Sequence, residues 1–130
     1  MKSISMAVVG CGDIAHIRYL YAISHRKEKF QIDAVYDRDP EVCQRTAKEL
    51  GAQAENSLES LLAIAKIDTV IVTTYHPSHA SIAIQCMEAG KNVIVEKPFA
   101  TSSADAQKVL ETAKRTGKLC MLMPYELYPV

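Results

Sequence analysis

The sequence predicts an α/β fold: a single domain built on six strands in one parallel, doubly wound sheet of order 3-2-1-4-5-6. Three observations carry this. Short β-rich runs alternate without a break with longer helical runs along the 130 residues. The runs Asp68 to Thr73 and Asn92 to Val95 have almost uninterrupted apolar centres, as strands covered on both faces do. Strands joined by helices pair in parallel, and right-handed crossovers then wind the sheet both ways from its first strand.

Taken in order, Ile4 to Val9 is the first strand, ended by Gly10. Asp13 to about Ser24 is a helix, with Ile14, Ile17, Leu20 and Tyr21 at helical spacing. The charge run Arg26-Lys27-Glu28-Lys29 is a solvated turn before the second strand, Phe30 to Asp37. Asp39 caps the next helix and Pro40 takes its first position; Cys43, Ala47 and Leu50 line one face and Gly51 ends it. A weak strand covers Gln53 to Glu55, and Ser57 caps a short helix through Leu61, Leu62 and Ile64. Asp68 to Thr73 is the most β-branched run, hence a central strand. Pro77-Ser78-His79 opens a helix that runs to Ala89 and stops at Gly90. Asn92 to Val95 is the fifth strand. Ser102 with Asp105 is a capping box in its Asp variant, with Ala106, Val109, Leu110 and Ala113 inward and Gly117 at the end. Leu119 to Met123 is the last strand, and Pro124 and Pro129 mark an irregular exit.

Composition narrows the function classes. Apolar residues are 48% and charged residues 23%, ordinary for a globular chain. Fifteen basic residues balance fifteen acidic ones, so no basic field exists to hold a phosphate backbone, which argues against a nucleic-acid partner. No apolar run approaches the roughly 20 residues that span a bilayer. Cys11, Cys43, Cys86 and Cys120 are far apart and never in a CxxC pair, which suits reduced thiols and a cytoplasmic chain. Val8-Val9-Gly10-Cys11 resembles a lipoprotein box, but the stretch before it is short, broken by Ser3 and Ser5, and has only Lys2 as a basic residue.

Chemistry concentrates where strands end. Gly10-Cys11-Gly12-Asp13-Ile14-Ala15 is a GxGxxA between the first strand and the first helix, the pattern of a dinucleotide site. Gly10 permits the turn, Gly12 lets backbone approach a pyrophosphate, and Ala15 allows close helix–strand packing. The amides of Cys11 to Ile14 face the phosphates at a positive helix end. Asp37 closes the second strand, 22 residues after Ala15, where a carboxylate accepts from an adenosine ribose. It favours NAD; Arg38 beside it would pair with a 2′-phosphate, which keeps NADP as the alternative. Thr73, Thr74, His76 and His79 follow the fourth strand beside the expected nicotinamide ribose. His76 and His79 have no acid or cysteine nearby in sequence to complete a ligand set, so no metal is expected. Glu96-Lys97-Pro98 follows the fifth strand. Lys97 there can donate to a substrate hydroxyl or share in proton transfer, Glu96 can hold its ammonium, and Pro98 fixes the direction of the backbone.

Three segments, VVGCGDIA, VYDRDP and TTYHPSHASIAIQCMEAGKNVIVEKPFA, together resemble the Gfo/Idh/MocA oxidoreductases, the family of glucose–fructose oxidoreductase and inositol dehydrogenase. The resemblance covers residues 1–123, and the run ending in Glu96-Lys97-Pro98 is its most specific part. It departs at Thr74, where the family usually has proline, and no arginine follows Arg115. It implies an NAD(P)-binding Rossmann domain, Lys97 as the active-site lysine, and His79 in the family's histidine position. It also implies hydride transfer between the nicotinamide and a sugar, cyclitol or related polyol. A second α/β domain would supply most substrate contacts and the surface for a homo-oligomer, with residues 124–130 starting the linker to it. Residues 1–123 alone would then be catalytically incomplete. The alternative is a stand-alone, non-catalytic dinucleotide-binding or sensing module.

Overall fold

The computed structural model describes residues 2–123. Its strands are β1 (Ile4–Val9), β2 (Phe30–Tyr36), β3 (Gln53–Ala54), β4 (Thr69–Val72), β5 (Asn92–Val95) and β6 (Cys120–Leu122). They form one sheet of order β3-β2-β1-β4-β5-β6, and every neighbouring pair is parallel. The connections are α1 (residues 13–24), α2 (Pro40–Leu50), α3 (Leu58–Leu62), α4 (His79–Glu88, entered through a 3-10 turn at His76–Ser78) and α5 (Ser103–Thr116). The expected topology is therefore the observed one. The exit expected at Pro124 and Pro129, and the linker expected at 124–130, lie outside the described residues.

Alternation along the middle strands divides the core. Val8 and Ile71 face α1 and α2, packing with Ala15, Leu20, Cys43 and Ala47. Val9, Val70, Val72, Val93 and Val95 face the other side, with Leu61 from α3, Ala83 and Met87 from α4 and Val109 from α5. Val70, Ile71 and Val72 have no exposed surface. At about 1.5–3 kcal/mol for each fully buried aliphatic side chain, β4 contributes a large share of the sheet's stability.

Local chemistry sets the ends as expected. The Asp39 carboxylate accepts from the Glu41 amide at 2.9 Å, and the chain leaves α2 at Gly51, whose φ of 66° suits a residue without a side chain. Ser57 accepts from the Ser60 amide and Ser102 from the Asp105 amide, so both serine caps form.

Two helix faces differ from expectation. α1 hydrogen-bonds in the wider π pattern over Ala15–Leu20, and it buries Ala15, Tyr19 and Leu20 while Ile14, Ile17 and Tyr21 point outward. Ala15 must face the sheet for the helix to sit close behind the glycine turn. In the wide helix Tyr19 and Leu20, not Ile17, then follow on the inner side. In α5, Leu110 is exposed and Thr112 is buried, its hydroxyl donating to the Lys108 carbonyl at 2.7 Å. That bond removes the cost of burying a hydroxyl, so Val109 and Thr112 share the inner face.

Candidate functional site

At the carboxyl ends of β1, β2 and β4 the sheet opens into a cleft of about 550 Å³, lined by Gly10, Gly12, Asp37, Arg38, Thr73, Thr74 and Tyr75 among others. It arises because connections leave β1 and β4 toward opposite faces of the sheet, and the strand ends between them are left uncovered.

The two glycines of the turn do different work. Gly10 has φ 92°, and a Cβ placed on it would lie 2.7 Å from the carbonyl carbon of Thr73. No side chain fits there, and the Thr73 hydroxyl donates to the Gly10 carbonyl at 2.5 Å, joining the ends of β1 and β4. Gly12 is the opposite case: a Cβ on it would meet nothing within 4 Å. The space beside its backbone opens on the cleft, at the start of α1, where unpaired amides and the helix dipole favour an anion.

Asp37 anchors the turn from the neighbouring strand. One carboxylate oxygen accepts from the Cys11 amide and the other from the Asp39 amide, both at 2.8 Å. Each oxygen keeps a lone pair for a further donor. Arg38 lies exposed beside it on the cleft wall. Cys11 turns its side chain away from the cleft. It is buried, and burial, with the negative charge of Asp37 next, pushes its thiol up to about 12, so the sulfur is an inert filler. Asp13 and Ile14 lie exposed on the first turn of α1.

Beyond β5, Glu96 is buried, and its carboxylate accepts from the Arg18 guanidinium at 3.1 Å, the Tyr19 hydroxyl at 3.5 Å and the Lys97 amide at 3.2 Å. Burial, and then the charge of Glu96, pushes the Tyr19 phenol well above its ordinary value, so it is a neutral donor. Glu96 was expected to hold the Lys97 ammonium; its bond to that residue runs through the backbone, and its charge is met by Arg18 from α1. Lys97 and Pro98 are half-buried and joined by a cis peptide bond. His79, expected beside a cofactor, is instead fully buried, with both ring nitrogens on backbone carbonyls. His76 stands exposed on the turn before it. Among the described residues no three His, Cys, Asp or Glu side chains are grouped to hold a metal ion, and no helix is long and apolar enough to cross a membrane.

Sequence reasoning missed Arg18, Tyr19, Tyr75, Ser78 and Ile82. The last three line the cleft, and Thr74 and Ser78 share a hydroxyl contact at 2.7 Å. No local signal marks Arg18, since its partner is 78 residues away.

Taken together, the cleft sets the open backbone of Gly12 beside the Asp37 carboxylate; Glu96, Lys97 and Pro98 are not among the residues that line it. The sequence profile of an oxidoreductase family, the Gfo/Idh/MocA group with an NAD-binding Rossmann fold, matches residues 4–123. Inositol 2-dehydrogenase 3 of Saccharopolyspora erythraea is 34% identical over 118 residues, 89% of this chain and 34% of that protein. The WlbA dehydrogenase of Chromobacterium violaceum, solved with NADH and UDP-GlcNAcA, superposes with a TM-score of 0.91 at 32% identity, covering 95% of this chain and 35% of that one. KijD10, a 3-ketoreductase of Actinomadura kijaniata solved with NADP and TDP-benzene, superposes with a TM-score of 0.86 at 28% identity, covering 93% and 38%. The chain thus spans about a third of the length of these relatives.

Proposed function

The chain belongs to the Gfo/Idh/MocA oxidoreductase family, as its NAD-binding Rossmann domain, and from that premise we propose that it binds NAD along the cleft and serves hydride transfer to or from a sugar, cyclitol or related polyol. The observation that carries the reading is the pair of glycines. Gly10 is filled by backbone and Gly12 is open, so the turn is built tight on its inner side and hollow where a pyrophosphate would lie.

Gly12 and the amides of Asp13 and Ile14 would hold the pyrophosphate. Asp37, already fixed by two amides, would accept from the adenosine ribose and repel a 2′-phosphate, which selects NAD over NADP; Arg38 works against that preference. Thr73, Thr74 and His76 would border the nicotinamide ribose, and the turn Glu96-Lys97-Pro98 the nicotinamide itself. When bound, the cofactor supplies the hydride acceptor or donor. Lys97 would orient the substrate hydroxyl and take or return its proton, while Glu96, Arg18 and Tyr19 keep the lysine's backbone in place. The reacting carbon must be held about 3–3.5 Å from the ring, and the relatives' greater length fits a further domain, joined near residues 124–130, for that task. On this reading residues 1–123 bind cofactor and contribute Lys97 but turn over polyols poorly alone, and oligomer contacts belong to the further domain.

Calorimetric titration with NADH and NADPH tests the proposal. NADH should bind more tightly, and Asp37→Ala should shrink the difference. Absence of binding by either dinucleotide would overturn the cofactor assignment, and tighter NADPH binding would overturn the role of Asp37.

A further inference from the structure

His79 stands at the start of α4 with no exposed surface, and both of its ring nitrogens end on carbonyl oxygens. Nε2 is 2.8 Å from the carbonyl of Thr74, in the loop after β4, and Nδ1 is 2.7 Å from the carbonyl of Pro98, in the turn after β5. Carbonyl oxygens only accept. A neutral imidazole has one N–H and one bare lone pair, so it can satisfy one of these contacts and would set its lone pair against the oxygen of the other. Two contacts of this length fit a ring that donates twice.

We propose that His79 is a positioning residue for Lys97: an imidazolium that donates to the Thr74 and Pro98 carbonyls and so ties the turn carrying the lysine to the loop that borders the cleft. Among the described residues, these titratable groups adjoin His79 or its two carbonyl partners. The His76 ring lies edge-on at 5.6 Å, and Tyr75 sits beside the Thr74 partner. Glu96 and Lys97 precede the Pro98 partner, and the Glu96 carboxylate faces Arg18 and Tyr19. On α4 the neighbouring Ala80 and Ala83 carry no charge. Thr74 lines the cleft and Lys97 adjoins Pro98. A staple between those two segments therefore sets the distance between the cleft wall and the lysine, with no contact between His79 and any ligand.

This inference rests on the reading that the nicotinamide end of NAD lies toward Lys97, and two measurements separate it from that reading. The first needs no ligand. Long-range 1H–15N spectra of the chain labelled at histidine, assigned by the loss of one ring in His79→Gln, should place a proton on both His79 nitrogens at neutral pH. One bare nitrogen overturns the imidazolium assignment. The second compares NADH with ADP-ribose, which lacks the nicotinamide. His79→Leu should weaken NADH about tenfold and change ADP-ribose less than about twofold, with His79→Gln in between because it keeps one donor group. If His79→Leu does not fold, the His79→Gln comparison decides alone. Equal losses for both ligands, or no loss for either, overturn the positioning role. A parent chain that binds ADP-ribose and NADH equally overturns the nicotinamide reading and the positioning role, while the ring spectrum stands as measured.

Discussion

The two edges of the sheet are built from similar residues and do opposite things. On the amino-end half of the sheet, polar side chains bind one another, with Asp33 in the middle of β2, where its register with β1 shifts, and Asp68 just before β4. Asp33 takes Lys66 at 2.9 Å, Gln31 at 3.0 Å and the Ser5 hydroxyl. Asp68 takes the Thr69 hydroxyl at 2.6 Å and the Asn92 amide at 3.3 Å, and Asn92 accepts from the Leu119 amide at 3.0 Å. The result is a closed polar rim. At the carboxyl ends, three polar side chains bind backbone, Asp37 to two amides, Thr73 to the Gly10 carbonyl and His79 to two carbonyls, while Glu96 takes the Arg18 and Tyr19 side chains and Thr74 meets Ser78. Those bonds shape loops and leave the space between them open. The two edges differ in that the loops at the carboxyl ends, held largely through backbone, leave a cleft between them.

That contrast can be broken at single positions. The largest effect is expected at Gly10. Gly10→Ala forces a Cβ against Thr73 at a positive φ, which should cost about 3 kcal/mol of unfolding free energy in a denaturant titration. Gly12→Val should instead fold normally, since space is open there, and weaken NADH about 100-fold by calorimetry. A loss of stability at Gly12 as large as at Gly10 would erase the distinction between the two glycines.

Smaller effects sharpen the comparison from the other edge. Asp33→Ala removes an acceptor shared by three donors and should cost about 1 kcal/mol with the NADH affinity unchanged. Asp68 should be visible only in acid. The Thr69 hydroxyl, outweighing partial burial, and then Asn92 and the charges of Lys118 and Lys91, hold its carboxyl below the usual range. A depressed folded value means the contribution is present above the unfolded value of about 4 and is lost as pH falls through the folded one. Asp68→Asn should flatten the stability profile below about pH 4 and leave it parallel to the parent above. A parallel profile throughout would remove Asp68 from the rim.

Much of this was legible in the sequence, because local rules write the strand ends, the serine and aspartate caps and the glycine turn. β1 and β5 fall on their expected bounds, Ile4–Val9 and Asn92–Val95. The failures have two physical causes: which face of a helix the sheet takes, and contacts between residues distant in the chain. Ile17 reads as a core residue by periodicity, yet the demand that Ala15 lie against the sheet turns it outward. Leu110 loses its place to Thr112, whose hydroxyl finds a carbonyl one turn back. Glu96 beside Lys97 reads as a local ion pair, and only the fold brings Arg18 to it. His79 reads as a ligand contact because of its neighbours, while its burial depends on a turn nearly twenty residues later.

The most direct test of the difference between the edges is a map of amide shifts in 1H–15N spectra as NADH is added. The account predicts the largest changes at residues 10–14, 37–39, 73–76 and 96–97, with Asp33, Asp68, Lys91 and Asn92 nearly still. Changes centred on the amino-edge residues, or spread evenly over both edges, would contradict it.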